Sequence, residues 1–188
     1  MEFDRDSARY AAYFCEENIW HLADDLAKRN SLSANSFVLF LFNEHDYYIA
    51  VKNQRAFESG TIGCWDYHVV LLDADNGRVF DLDTRLDCPA SIEEYFAATF
   101  PDQSRLLFEY KTTVRSVPIA EYINRFSSDR EHMIDDEGLP LKEFPNWSAI
   151  IAENPIWLSQ YLSVLPVEGS ESLTTDLASF VASIPREN

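Results

Sequence analysis

Cysteine is scarce in this 188-residue chain, which holds only Cys15, Cys64 and Cys88. An odd number with no C-x-x-C pair excludes a disulfide framework and a zinc knuckle, both of which need paired thiols at short spacing. The four histidines, His21, His45, His68 and His132, never fall four residues apart, so no helical metal-binding pair is expected. Basic side chains are also few, 15 against 32 acidic, for a formal charge of -17. That field repels phosphate backbones and anionic lipid, which argues against nucleic acid and membrane surfaces as partners. No apolar run approaches the roughly 18 residues of a membrane helix. The start, Met1-Glu2-Phe3-Asp4-Arg5-Asp6, lacks the basic-then-apolar order of a secretory signal. The expectation is a soluble intracellular protein without internal repeats or low-complexity tracts. What is plentiful is core material: 46% hydrophobic and 14% aromatic residues, enough to bury most of a chain of this size. One domain over residues 1–188 is expected, its last ~20 residues loosely attached behind the turn-like Glu168-Gly169-Ser170-Glu171.

Apolar periodicity between about Ser7 and Asn30, through Ala12, Ile19, Leu22, Ala23 and Leu26, predicts an amphipathic helix with Cys15 near its beginning. Ser36 to Phe42 and Tyr47 to Val51, separated by Asn43-Glu44-His45-Asp46, read as a strand, turn, strand unit. Trp65 to Thr84 carries the strongest signal, two apolar runs flanking Ala74-Asp75-Asn76-Gly77, because Asn-Gly tolerates the positive φ of a hairpin turn. Ser91 to Phe100 reads as a capped short helix, Leu106 to Val117 as extended, and Ile119 to Phe126 as helical. Asp135 to Pro145 reads as a loop and Ser172 to Ile184 as a terminal helix. Helices bracketing a mostly antiparallel sheet make an α+β domain.

Three residues in this frame suggest chemistry. A thiol opening a helix gains from about half a positive charge at the N-terminus, and an imidazolium beside it helps further, so Cys15 is a candidate nucleophile. His68 lies in the first strand of the predicted hairpin. Strand alternation puts it on one sheet face with both Asp81 and Asp83 for a two- or four-residue loop, whereas a three-residue loop puts Leu82 there. With the four-residue loop Asp83 is opposite His68 and Asp81 is diagonal, and register alone does not choose between them. Cysteine, histidine and carboxylate in this order are the parts of a cysteine-nucleophile triad. Glu16 and Glu17 oppose thiolate formation if they face the sulfur, and favour the helix if they face its dipole.

The segments Tyr13-Phe14-Cys15-Glu16-Glu17-Asn18-Ile19-Trp20, Trp65-Asp66-Tyr67-His68-Val69-Val70-Leu71-Leu72 and Asp81-Leu82-Asp83-Thr84 resemble signature blocks of the protein N-terminal glutamine amidohydrolases, as does Phe126-Ser127-Ser128-Asp129-Arg130-Glu131-His132-Met133. The resemblance runs from about Tyr10 to Met133 and fades beyond Ile134. It implies a papain-like or transglutaminase-like fold with Cys15, His68 and Asp81 as the triad. The implied activity is hydrolysis of an N-terminal glutamine side chain to glutamate and ammonia, feeding arginylation and degradation in the N-end rule pathway. It implies no cofactor and no metal, a monomer, and a cytoplasmic location, with the nucleus also open.

Rejection of internal glutamines calls for a carboxylate that pairs with the substrate α-ammonium, since an unpaired buried charge is costly. Glu17 and Asp66 are the candidates, with Tyr67 as a pocket wall. Rival readings are a transglutaminase-like or papain-like acyltransferase or protease using the same thioester, and a non-catalytic peptide-binding module.

Overall fold

The computed structural model describes residues 3–184. In chain order the elements are α1 (Cys15–Lys28), β1 (Ser36–Phe42), β2 (Ile49–Val51), β3 (Gly63–Trp65), β4 (Tyr67–Asp73), β5 (Arg78–Phe80), β6 (Ala90–Ser91), α2 (Ile92–Thr99), β7 (Thr113–Pro118), α3 (Ile119–Arg125), β8 (Phe126–Ser127), β9 (Ile156–Trp157), α4 (Leu158–Tyr161), β10 (Leu173–Asp176) and α5 (Leu177–Ser183). Six strands form an antiparallel sheet in the order β10-β7-β1-β4-β5-β6, and β2-β3 and β8-β9 form two small pairs. The expected α+β architecture with a mostly antiparallel sheet flanked by helices is thus present. No helix among the described residues is long and apolar enough to cross a membrane.

Both faces of the sheet are covered, which explains why β1 reads Ser-Phe-Val-Leu-Phe-Leu-Phe without polar alternation. On one face Val38, Phe40, Val69, Leu71 and Phe80 meet Ile19, Leu22 and Leu26 of α1, Tyr122 of α3 and Tyr161 of α4. Phe40 stacks on Tyr161 with ring centroids 4.8 Å apart. On the other face Leu39, Leu41, Val70, Leu72 and Val79 meet Tyr95 and Phe96 of α2 and Leu177 and Phe180 of α5.

Three expectations change in the folded chain. The first helix begins at Cys15 rather than near Ser7, because Asn18 grips the backbone of Ala11 through its Nδ2 and Oδ1, both at 2.8 Å, and Tyr13 turns to φ 72° just before the helix. The two runs around Asn43-Glu44-His45-Asp46 are strands but not partners. Both edges of β1 are taken, by β4 and β7, so β2 pairs with β3 instead. The terminal segment is half strand: β10 adds to the sheet edge beside β7, and only then does α5 begin, with Asp176 as its cap. The α2 cap is as expected, with Ser91 accepting from the Glu94 amide at 3.3 Å.

A buried cation ties the C-terminal third to this sheet. Arg115 of β7 is 1% exposed. Its guanidinium donates to the carbonyls of Tyr161, Ser163 and Leu165 and to the Ser172 hydroxyl. These oxygens lose their donor if the guanidinium goes, and each buried orphan is costly. Arg115→Met should therefore cost about 3 kcal/mol of stability, seen as a drop of about 6–12 °C in Tm by calorimetry. An unchanged Tm would contradict this role.

Candidate active site

The site forms where the β4–β5 hairpin ends. Its loop is the four residues 74–77, closed by a Gly77 amide bond to the Ala74 carbonyl at 3.2 Å and by Gly77 at φ 64°. Pairing runs from Asp73↔Arg78 to Leu71↔Phe80 and stops there. Had the ladder continued, Asp83 would lie opposite His68. Instead the chain turns after Phe80, and the Asp83 amide donates back to Asp81 Oδ1 at 2.9 Å. That turn presents Asp81 to the imidazole: His68 Nε2 lies 3.0 Å from Asp81 Oδ1.

The pair is dry, with His68 2% and Asp81 1% exposed. A buried carboxylate must find donors or lose its charge. Asp81 finds four, since its Oδ2 also accepts from Gln54 Nε2 and Tyr95 Oη, both at 2.9 Å. Burial alone would raise its pKa, but the charge and hydrogen bond of His68, with the bonds from Gln54 and the Asp83 amide, hold it below the usual carboxylate range. The imidazole mirrors this. Burial pushes it down, but the charge and hydrogen bond of Asp81, joined by Asp83 and Glu16, win, and its pKa is raised. Trp65 of β3 stacks on the ring, 12° from parallel with centroids 6.0 Å apart, and so fixes its plane. No hydrogen bond engages His68 Nδ1 among the described residues.

Asp83 sits beside this pair in a different state. Burial lifts its pKa, while Tyr10 Oη donates to its Oδ1 at 2.6 Å. His68, Asp81 and Asp83 each offer one ligand-type atom within 4.8 Å of the others, the one such group among the described residues. Its carboxylates are already engaged by His68, Gln54, Tyr95, Tyr10 and a backbone amide.

Cys15 is the first residue of α1 and is half-buried. The backbone amide of Val69, the residue after His68 in β4, is near enough to favour its thiolate. The Sγ–H also points at Glu16 Oε2, 3.7 Å away. Burial first, then the charges of Glu16 and Asp83, push the thiol well above its ordinary pKa, and the Val69 amide opposes them. At rest the sulfur is therefore a thiol, not a thiolate.

The two acids after Cys15 have opposite surroundings, though both are fully buried. Glu17 is saturated: Arg130 forks onto its two oxygens at 2.7 Å each, and Trp147 Nε1 donates at 2.6 Å. Both of its oxygens already accept from a donor. Glu16 accepts from Tyr67 Oη at Oε2, 3.0 Å, but its Oε1 has no hydrogen-bond partner among the described residues. Burial raises the Glu16 carboxyl to about 7, against the pull of its own backbone amide and of Tyr67. Asp66 is exposed at the bend between β3 and β4, and Tyr67 turns its hydroxyl to Glu16 and, at 3.2 Å, to His132 Nε2.

Of the residues singled out by sequence, His68 and Asp81 are bonded with Asp83 beside them, Cys15 opens the helix packed on the same strand, Glu17 is bonded to Arg130 and Trp147, and Asp66 is exposed. Gln54, Tyr95 and Tyr10 were not anticipated, and no local pattern marks them, while Trp65 opens a signature block without a role having been assigned to it. Arg130 and His132 sit in the block Phe126 to Met133, where a signal existed but no role was assigned.

The family described as N-terminal glutamine amidase matches residues 10–180. Protein N-terminal glutamine amidohydrolases from Homo sapiens and Bos taurus are each 29% identical over 170 residues, 88% of this chain and 82% of theirs. The one from Arabidopsis thaliana is 26% identical over 185 residues, 93% of this chain and 82% of its own length. The matched region spans Cys15, the His68–Asp81 pair and the elements that hold them, and the chain belongs to the N-terminal glutamine amidase family.

Proposed function

We propose that this chain is a single catalytic domain of papain-like or transglutaminase-like type that hydrolyses the side-chain amide of an N-terminal glutamine, releasing ammonia and leaving glutamate. Cys15 is the nucleophile, His68 the acid and base, and Asp81 the residue that orients His68. The observation that carries this reading is the dry His68–Asp81 pair, its carboxylate held by four donors, together with a thiol that opens α1, the helix packed on the same strand β4. Membership of the amidase family supports the substrate.

In this mechanism His68 Nδ1 takes the Cys15 proton as sulfur attacks the carboxamide carbon. The Nε2–H stays on Asp81, which fixes the tautomer and stabilises the imidazolium. The Cys15 amide, an unpaired donor at the first turn of α1, stabilises the tetrahedral oxyanion. When the carbon–nitrogen bond breaks, His68 returns the proton to the departing ammonia and a γ-thioester remains. Water then loses a proton to neutral His68, attacks the thioester, and restores the thiol with a glutamate side chain as product. Each step conserves protons within the triad, so no cofactor is needed. The enzyme acts as a monomer in the cytoplasm, with the nucleus also open, and the glutamate it makes feeds N-degron processing.

Replacing Cys15 by alanine should lower kcat by about 10⁴-fold or more, measured as ammonia release from a Gln-starting peptide, with an unchanged melting curve. Comparable activity in the variant would remove the nucleophile. Asp81→Asn should cost about 10²–10⁴-fold in kcat because the amide cannot anchor the protonated ring. Asp83→Asn, which keeps an acceptor for Tyr10, should cost far less, and the opposite ranking would transfer the orienting role to Asp83. Acetylating the substrate N-terminus should abolish turnover, and equal rates on free and acetylated peptides would remove α-ammonium recognition from the mechanism.

A further inference from the structure

Glu16 poses a physical problem that the triad leaves unsolved. It is a fully buried carboxyl with a bare oxygen, one residue from the nucleophile and 3.7 Å from its sulfur. An anion there opposes the thiolate that the reaction requires, and buried polar atoms without partners are rare enough to need a reason. The groups facing it do not resolve this. From β4, Tyr67 donates to Oε2 only, and from α3, Tyr122 donates to the Glu16 backbone carbonyl at 2.7 Å. From the segment after β8, His132 Nε2 stands 3.6 Å from Oε1, beyond hydrogen-bond range, and burial lowers its pKa, so it is no resident cation. The Arg130 cation is spent on Glu17. Asp81 and Asp83, across the thiol, add further negative potential, offset by His68.

We infer that Glu16 is the carboxylate that receives the substrate α-ammonium, and that this pairing releases the Cys15 thiol for attack. The inference rests on the proposed amidohydrolase reading and adds to it the residue that reads the N-terminus. The α-nitrogen of a glutamine is four bonds from its amide carbon, a reach of about 4–5 Å at ordinary bond lengths. A carboxylate beside the attacking sulfur lies at that range. Without the ammonium, Glu16 accepts a hydrogen bond from the Cys15 thiol, which keeps its proton and stays unreactive. With it, the negative charge beside the sulfur is neutralised, and the proton passes to His68. An internal glutamine brings no such cation, so it meets a resting thiol. Glu17, already saturated, and Asp66, exposed, lack these features.

The test separates activation from turnover. Glycyl-alanine amide carries the α-ammonium but leaves the glutamine side-chain space empty, so Cys15 alkylation by iodoacetamide can be followed in its presence. In the wild type at pH 7 it should speed alkylation at least about fivefold, while its N-acetyl form does not. In Glu16→Gln alkylation should already be fast, with its pH midpoint lower by about one unit and no response to the dipeptide. The preference in kcat/KM for Gln-peptide over N-acetyl-Gln-peptide should shrink by at least about 10²-fold. Wild-type midpoint and selectivity in Glu16→Gln, or collapse of selectivity in Asp66→Asn instead, would overturn the assignment. If Glu16→Gln does not fold, the wild type decides: equal alkylation with free and acetylated dipeptide overturns it. Absence of ammonia release by the wild type would instead strike the underlying amidohydrolase reading, which the alkylation results do not address.

Discussion

Asp81 carries a charge in a nearly dry interior because four donors converge on it from four parts of the chain: His68 in β4, the Asp83 amide in its own turn, Gln54 after β2, and Tyr95 in α2. Any one donor missing would leave the carboxylate underpaid in hydrogen bonds and drive it toward the neutral form. The consequence runs outward. The ionised Asp81 raises the affinity of His68 for a proton, and Trp65 stacks on the ring. The ends of both β2 and α2 are thereby committed to the site, as well as to the core.

The N-terminus of α1 shows the same physics applied in two directions. Two successive glutamates sit fully buried in the first turn, where the helix dipole favours them. Glu17 is closed off by a forked Arg130 and the Trp147 indole, and that cluster joins the chain beyond β8 to the helix. Arg130 also lies over the Phe14 and Phe144 rings, 5.8 and 5.5 Å from their centroids, so the loop of residues 134–147 is fastened beside Cys15. Glu16 is left open by one oxygen. Identical residue types, adjacent in sequence, thus divide between a structural bond and an unfilled one because successive helix positions point about 100° apart.

Much of the frame was legible. The hairpin turn at Asn76-Gly77, the Ser91 cap and the helix after Pro118 follow from local chemistry, and all three are present; the length of the turn does not follow from it. Where the reading slipped, competition from distant parts of the chain was the cause. The apolar spacing that suggested a helix from Ser7 could not register the Asn18 clamp on Ala11, and the runs flanking Asn43 looked like a hairpin because nothing local reveals that β1 is the sheet's most enclosed strand. In the site, Cys15, His68 and the aspartate pair were visible as residue types in order. The choice of Asp81 as the bonded partner depended on the ladder ending at Phe80, which register arithmetic does not contain.

By itself the sequence determined which groups were available: one thiol at the head of an amphipathic helix, one histidine in an apolar strand, two carboxylates two residues apart, and an acidic surface hostile to polyanions. These are properties of composition and of periods of two and 3.6 residues, which short stretches of chain express without help. Only the tertiary structure decided which carboxylate is charged, which glutamate is satisfied and which is left short of a partner. Those states are set by burial and by donors arriving from far along the chain, and neither exists before the sheet and its helices have come together.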